Sequence, residues 1–346
     1  MIRYGILGFG HHAVRRLVPA FRSTKDSVLA GMWRRNQERA YTESKAFGIE
    51  QVFGSAEDLC ASPLIDAVFV VSPDSLHLPH VLLAARHGKA VLCEKPLGMN
   101  AGEVESMLAA TREAGVVFGV AQNFRYNRAI ETMRTWIREG RIGAPVLAHA
   151  QFSYEAEASP RAWIYDPTLA CGGPIGDVGI HCIDALRFVL DTNVATVNTL
   201  ARGDAQSGAV ESSAVVAVEF TSGAMGAVTV TTRARYRSLI EVVGETGVLL
   251  CENGMTVEHP VELVLRENGE TTIAETISNA DAYTLMLDSF ARTVEGRGSY
   301  LATGEDGLHN QQALDAMYRS WRSGAKQSVP PQVRSENGVR SRAFPQ

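Results

Sequence analysis

Three short stretches of this 346-residue sequence carry side chains that could do chemistry together. Glu94-Lys95-Pro96 ends an apolar run; a lone lysine is usually solvated surface, but one locked between a carboxylate and a proline at a strand end reads as functional. Asp177 and His181 stand at i and i+4, so a helix beginning by Asp177 sets both on one face. Histidine can exchange a proton with an alcohol or a carbonyl near neutral pH, while a nearby carboxylate orients it or binds a hydroxyl. A buried core histidine and a helix cap would show the same spacing. The third stretch is Gly8-Phe9-Gly10-His11-His12-Ala13. Its first glycine permits a tight turn, its second lets the backbone approach a pyrophosphate, and alanine at the third position still allows close helix packing.

Each stretch depends on the elements that carry it. Apolar, β-branched runs at 2–7, 28–33, 67–71, 90–93 and 116–120 read as strands, and their near-continuous hydrophobicity fits a parallel sheet covered on both faces. Helical stretches lie between them, with Asn100 followed by Glu103 as a capping box and Ser55 followed by Asp58 as a weaker one. This rhythm predicts a doubly wound α/β domain over residues 1–121, with the glycine loop after its first strand. Ligands of such sheets sit outside the carboxyl ends of the strands, which puts Lys95 where a nicotinamide ring would lie.

The pattern then changes. A helix at 129–138 is followed by strands at 146–154, 214–220, 224–232, 239–243 and 247–251, with Ser222-Gly223 and Asn253-Gly254 as turn signals. Helices at 282–295 and 306–322 complete an α+β domain over residues 122–324, and 325–346 reads as a loosely ordered tail. There is no internal repeat.

The end of the second strand bears on the nucleotide. An acidic residue there would hold the ribose hydroxyls of NAD, but the chain reads Trp33-Arg34-Arg35-Asn36-Gln37-Glu38-Arg39. Paired guanidinium groups suit a dianionic 2′-phosphate, which favours NADP over NAD; a solvated surface turn is the other reading.

Composition bounds the rest. With 45% hydrophobic and 21% charged residues, the chain has the balance of a globular protein of about two domains. Thirty-three Lys+Arg against 38 Asp+Glu give a net charge of -5, against a nucleic-acid or anionic-membrane binder. No run is long enough to span a bilayer, and no signal peptide is recognisable. Five scattered cysteines, with no C-x-x-C pair, fit a reduced, cytoplasmic protein. His77 and His80 share a helix face, but no Cys/His grouping points to a metal.

Taken in order, these motifs resemble the Gfo/Idh/MocA family, named for glucose-fructose oxidoreductase, inositol dehydrogenase and a rhizopine-catabolism protein. Gly8 to Ala13 is similar to its phosphate loop, Ser72-Pro73-Asp74-Ser75-Leu76-His77 to its T-P-N-x-x-H segment, and Glu94-Lys95-Pro96 to its E-K-P motif. Asp177 to Asp184 matches D-x-G-x-H-x-x-D, and Gln122-Asn123-Phe124-Arg125-Tyr126-Asn127 resembles the entry to the second domain. The resemblance implies a Rossmann domain binding NADP or NAD. It also implies a second domain whose large, open, mostly antiparallel sheet packs between subunits as a homodimer or homotetramer.

It implies Lys95, Asp177 and His181 as the catalytic group: His181 as general acid/base, Lys95 polarising the reacting oxygen, and Asp177 positioning substrate or His181. The substrate would be a sugar or cyclic polyol. Cofactor contacts would come from Gly8, Phe9, Gly10, His11, His12, Trp33, Arg34, Arg35, Ser72, Pro73, Asp74, His77, Glu94, Lys95 and Gln122, and on the resemblance alone from Arg39, Trp163 and Tyr283. Arg125, Arg161, Tyr154 and Tyr165 could line a sugar pocket or belong to core or surface. The departures are Cys171 in place of a glycine, Asp74 in place of asparagine and Arg128 in place of proline. A non-catalytic NADP-binding regulator, or an enzyme with a closed nucleotide redox cycle as in oxidise-and-return glycosidases, would share this fold. Retention of Lys95, Asp177 and His181 argues against the regulator, and tight nucleotide copurification without exchange would point to the closed cycle.

Overall fold

The computed structural model describes residues 1–156, 161–203 and 210–332. Six strands, β1 (Ile2–Leu7), β2 (Ser27–Trp33), β3 (Gln51–Val52), β4 (Ala67–Val70), β5 (Ala90–Cys93) and β6 (Phe118–Val120), form one sheet. Their order is β3-β2-β1-β4-β5-β6 with every pairing parallel. The order reverses between β1 and β4, and that switch point opens the crevice in which doubly wound sheets bind ligands. β4 and β5 are buried along their whole length, as unbroken apolar strands between two helical layers require.

The helices of this half are α1 (Val18–Phe21), α2 (Gln37–Phe47), α3 (Ala56–Ala61), α4 (His77–Arg86) and α5 (Ala101–Glu113). Asn100 caps α5 by accepting from the Glu103 amide at 3.1 Å. The Glu103 carboxylate returns the bond to the amide of Met99 (2.9 Å), one residue before the cap. Ser55 caps α3 in the same manner, accepting from Asp58 at 3.0 Å.

Helix α6 (Arg128–Arg138) leads into β7 (Pro145–Glu155), and α7 (Ile180–Leu190) precedes β8 (Val194–Gly203), β9 (Glu211–Phe220), β10 (Met225–Thr231), β11 (Arg233–Gly244), β12 (Gly247–Glu252), β13 (Val261–Glu267) and β14 (Glu270–Ile277). Helices α8 (Ala282–Val294) and α9 (Gly304–Ser323) and the short β15 (Gln327–Ser328) follow. The second sheet has nine strands in the order β14-β13-β12-β11-β7-β10-β9-β8-β15. Among the described residues, only β7 and β10 run parallel within it.

The strands at 194–203, 261–267 and 270–277 were not expected. β14 (Glu-Thr-Thr-Ile-Ala-Glu-Thr-Ile) is an edge strand exposed along most of its length, so it lacks the buried apolar face that a periodicity reading needs. Helix α9 begins earlier than 306 because Thr303 is a full capping box with Asp306: the hydroxyl accepts from the Asp306 amide (3.2 Å) and the carboxylate from the Thr303 amide (3.1 Å). The start of the expected loose tail is ordered, because β15 pairs with β8 and Val329 is buried. Residues 333–346 of that tail lie outside the described residues.

One hydrophobic core lies under the six-stranded sheet and the other under the nine-stranded one. The first also takes Met286, Leu287 and Phe290 from α8, together with Tyr300 and Ala302. Among the described residues, no helix is long and apolar enough to cross a membrane.

Candidate active site

At the switch point the loops after β1, β2, β4 and β5 are tied to one another. Gly8 has φ +89°, and a Cβ there would lie 2.7 Å from the backbone of Ser72, so both its conformation and its surroundings exclude a side chain. The amides of Gly8 and Phe9 donate to the carbonyl of Trp33 (3.0 and 3.2 Å), tying the phosphate loop to the end of β2. His77 opens α4 with its ring nitrogens 2.8 Å from Pro96 O and 2.9 Å from Ser72 O, which pins the β5 loop to the β4 loop. The Lys95–Pro96 peptide is cis. Asp74 is buried and accepts from the Cys171 amide (2.9 Å), and the Ser75 amide donates to Leu169 O (3.1 Å), so the 72–77 segment is moored to the chain before α7. Burial pushes the Asp74 carboxyl up to about 6, against the pull of His77.

His12 lies with its Nε2 3.1 Å from Glu94 Oε1, an ion-pair distance, and its ring meets Tyr283 edge-on at 5.8 Å. Burial would raise the Glu94 carboxyl, but His12 and Lys95 together hold it below its ordinary value. A loop closed to side chains at Gly8, backed by these polar residues, fits a dinucleotide.

The basic cluster after β2 is shared with a residue the sequence reading missed. Glu43 on α2 ion-pairs with Arg34 through one carboxylate oxygen and accepts from Arg39 Nε through the other (2.9 Å). Glu43 and Arg34 are both largely buried, whereas Arg39 is exposed. Its position one turn beyond Arg39 on α2 was the available signal.

Opposite the sheet, residues 175–179 form a π-helical turn that runs into α7 and carries Asp177. Asp177 and His181 therefore share a continuous helical segment, though not one of uniform α pitch. Lys95 Nζ donates to the carbonyl O of Asp177 (2.8 Å) and to its Oδ1 (3.1 Å). Arg161 donates to both carboxylate oxygens (3.1 and 2.9 Å), and the Tyr154 hydroxyl from the end of β7 donates to Oδ2. Burial works against the Asp177 charge, but Arg161 and Lys95 hold its pKa well below the ordinary carboxylate value. Burial, together with the same carboxylate, pushes the Tyr154 phenol up. His181 is buried, its Nδ1 2.9 Å from Gln122 Oε1 and its ring 4.5 Å from that of Phe124. Burial first, and then the Lys95 cation, push its pKa well below the ordinary value.

The approach to this turn is fixed from beneath by Glu211, a buried residue absent from the sequence reading. Its carboxylate accepts from the amides of Gly173 (3.0 Å) and Ile175 (2.8 Å) and from the Tyr318 hydroxyl (3.0 Å). A Cβ on Gly172 would fall 1.7 Å from the Tyr318 oxygen, and one on Gly173 2.0 Å from Glu211 O.

Arg125 is a correction to the expected sugar-pocket residues. It is buried in a bidentate ion pair with Asp184 (2.7–3.2 Å), and it also contacts Asp306 (3.1 Å) and Leu301 O, so its donors are committed within the fold. The isolated motif residue Asp184 is its partner, which accounts for both. Trp163 is half-buried in the turn 162–165, His11 is exposed, and Arg35 makes no hydrogen bond or ion pair with the described residues.

Comparison with known proteins bears on this arrangement. Residues 2–122 match the model of an oxidoreductase family with an NAD-binding Rossmann fold, and residues 130–250 match the GFO/IDH/MocA C-terminal domain. The chain is 34% identical to 1,5-anhydro-D-fructose reductase of Ensifer adhaerens, over 89% of its own length and 92% of that protein. It is 28% identical to D-xylose 1-dehydrogenase (NADP(+)) 2 of Haloferax volcanii, over 93% and 98%. Among solved structures, aldose-aldose oxidoreductase from Caulobacter crescentus superposes with TM-score 0.87 at 24% identity, covering 95% of this chain and 99% of that one. Levoglucosan dehydrogenase, in complex with NADH and levoglucosan, superposes with TM-score 0.85 at 22% identity, covering 95% and 100%. These two likenesses are of fold.

A six-stranded doubly wound sheet joined to a large, mostly antiparallel one, with a glycine loop and a Lys-Asp-His cluster at the join, defines an NAD(P)-binding oxidoreductase. The chain belongs to the Gfo/Idh/MocA family.

Proposed function

We propose that this enzyme moves a hydride between a nicotinamide, NADP in preference to NAD, and a hydroxyl or carbonyl carbon of a sugar or cyclic polyol. The observation that carries the reading is the meeting of Lys95 from the first sheet with the Asp177 turn that leads into His181. When bound, the nicotinamide supplies or accepts the hydride. Lys95, anchored by Asp177, holds the reacting oxygen and stabilises negative charge on it. Asp177, fixed by Arg161 and Tyr154, keeps the ammonium in place, and His181 exchanges the hydroxyl proton.

Gly8, Phe9 and Gly10 hold the pyrophosphate, with His12, Glu94 and the 72–77 segment beside it. Arg34, Arg35 and Arg39 favour a 2′-phosphate, since three guanidinium groups against the Glu38 and Glu43 carboxylates leave the cluster positive. The names of two relatives, a sugar reductase and an NADP-dependent xylose dehydrogenase, support both the substrate class and the nucleotide. The free cysteines favour a cytoplasmic setting. We read the outer face of the nine-stranded sheet as the contact between subunits of a homodimer or homotetramer. Leu200 beside Val215, and Met225 beside Leu147, are cross-strand neighbours that stand about half exposed or more.

The test is fluorescence titration with NADPH and NADH, followed by turnover on a panel of aldoses, ketoses and inositols with each redox form. The expected result is tighter NADPH binding and turnover on at least one of them. Lys95→Ala should lower kcat by roughly 10²-fold or more with the fold intact by circular dichroism. Near-normal turnover of that variant would remove Lys95 from the reaction.

A further inference from the structure

Gln122 lies just past the end of β6, where its backbone is held on both sides. Its amide donates to Val120 O (2.9 Å), and its carbonyl accepts from the Arg125 amide (3.1 Å). The side chain is 1% exposed, and its Oε1 stands 2.9 Å from Nδ1 of His181, which is 8% exposed. An amide oxygen can only accept, so the proton in this bond sits on Nδ1. A neutral imidazole carries one ring proton, so Nε2 is left with its lone pair. The Phe124 ring at 4.5 Å braces the imidazole plane. Gln122 Nε2 has no hydrogen-bond partner among the described residues, so its link to His181 is the side chain's hydrogen bond within the protein.

We propose that Gln122 is a positioning residue that holds His181 as the Nδ1–H tautomer, so that Nε2 meets the substrate as a proton acceptor and the resting site is set for alcohol oxidation. The inference rests on the reading of His181 as the proton-transfer group. In that direction the substrate O–H bond breaks and its proton goes to His181 Nε2. The C–H bond breaks with its electron pair passing as hydride to oxidised nicotinamide, and the C=O bond forms. The reverse reaction requires His181 to enter as imidazolium. The charged and titratable groups facing the ring are Lys95, Asp177, His12 and Arg161. Burial first, and with it Lys95, His12 and Arg161, opposes a second proton while Asp177 favours one, which keeps the ring neutral before substrate arrives.

The experiment needs neither substrate nor turnover. Full-length protein labelled with 15N-histidine is examined by long-range 1H–15N correlation across a pH series, and the His181 signals are assigned by their loss in His181→Asn. The expected result is a protonated Nδ1 and a bare Nε2 in the wild type. Gln122→Leu should move the proton to Nε2 in part or whole. Gln122→Glu should keep Nδ1–H and raise the pH at which Nε2 takes a second proton by about one unit or more. This variant serves even if the leucine variant fails to fold. A wild-type Nε2–H tautomer, an unchanged tautomer in Gln122→Leu, or an unmoved titration in Gln122→Glu would each overturn the proposal. Failure of the cofactor reading would show separately, as absent NADPH binding with the tautomer intact.

Discussion

Asp74 is a buried carboxylate where the family resemblance calls for asparagine, and its environment gives a stability prediction with a definite sign. Its carboxyl titrates near 6 in the fold against 3.8 unfolded, so the native state holds this proton more tightly. Its contribution is therefore most favourable below pH 4 and is lost as pH rises toward and past 6, reaching a cost of roughly 3 kcal/mol at neutral pH. Asp74→Asn retains an acceptor for the Cys171 amide without the charge. It should raise Tm at pH 8, keep about half of that advantage at pH 5 and lose most of it by pH 4; an equal gain at pH 8 and pH 4 would exclude the charge as its cause. At this scale the sequence was informative where chemistry sits on a strand end or a helix, as with Lys95, Asp177 and His181. It was silent on Glu211 and the Gln122–His181 bond, because these depend on which side chains the fold brings together, whereas Glu43 could have been found from its i+4 spacing to Arg39. Arg125 shows the converse: its type suggested substrate, and only the approach of Asp184 and Asp306 reveals a committed ion pair.

The π-helical turn at 175–179 is the element on which the site depends, and its geometry is imposed from outside. Glu211 receives the amides of Gly173 and Ile175 at its entrance, while Tyr318 leaves no room for a side chain on Gly172. Gly173→Ala would drive a methyl group into the Glu211 carbonyl. A loss of about 1–3 kcal/mol is expected by urea denaturation, together with a fall in turnover. Gly203→Ala is the control, since among the described residues a Cβ there meets nothing within 4 Å. An equal, small effect in both variants would remove the steric argument. The Gly-Gly pair was visible in the sequence, but the carboxylate it wraps comes from residue 211, after an intervening helix and strand. Elements with a buried apolar face, such as β4, β5 and α6, were legible from periodicity, whereas the polar edge strand β14 was not.

For the whole molecule, the doubly wound half was readable from alternating strands and helices, and the second half was readable as α+β without its strand order. The parallel pairing of β7 with β10 joins segments about 80 residues apart, which no local pattern encodes. The outer face of this sheet carries the subunit prediction. Placing aspartate at both Leu200 and Val215 should shift the protein to smaller species in sedimentation velocity while its nucleotide affinity is retained. An unchanged sedimentation coefficient would place the subunit contact elsewhere.

Helix α8 has a consequence for how the chain is made. Tyr4 of the first strand is covered by Phe290, its ring centroid 6.3 Å away, and its hydroxyl donates to Leu287 O. A ribosome that has released all six strands of the first sheet has therefore not yet released the residues that seal it. The nucleotide half stays uncovered by α8 until most of the second sheet has emerged, and a chain stopped before residue 282 would leave the α8-covered face of β1 open to the cell's quality-control machinery.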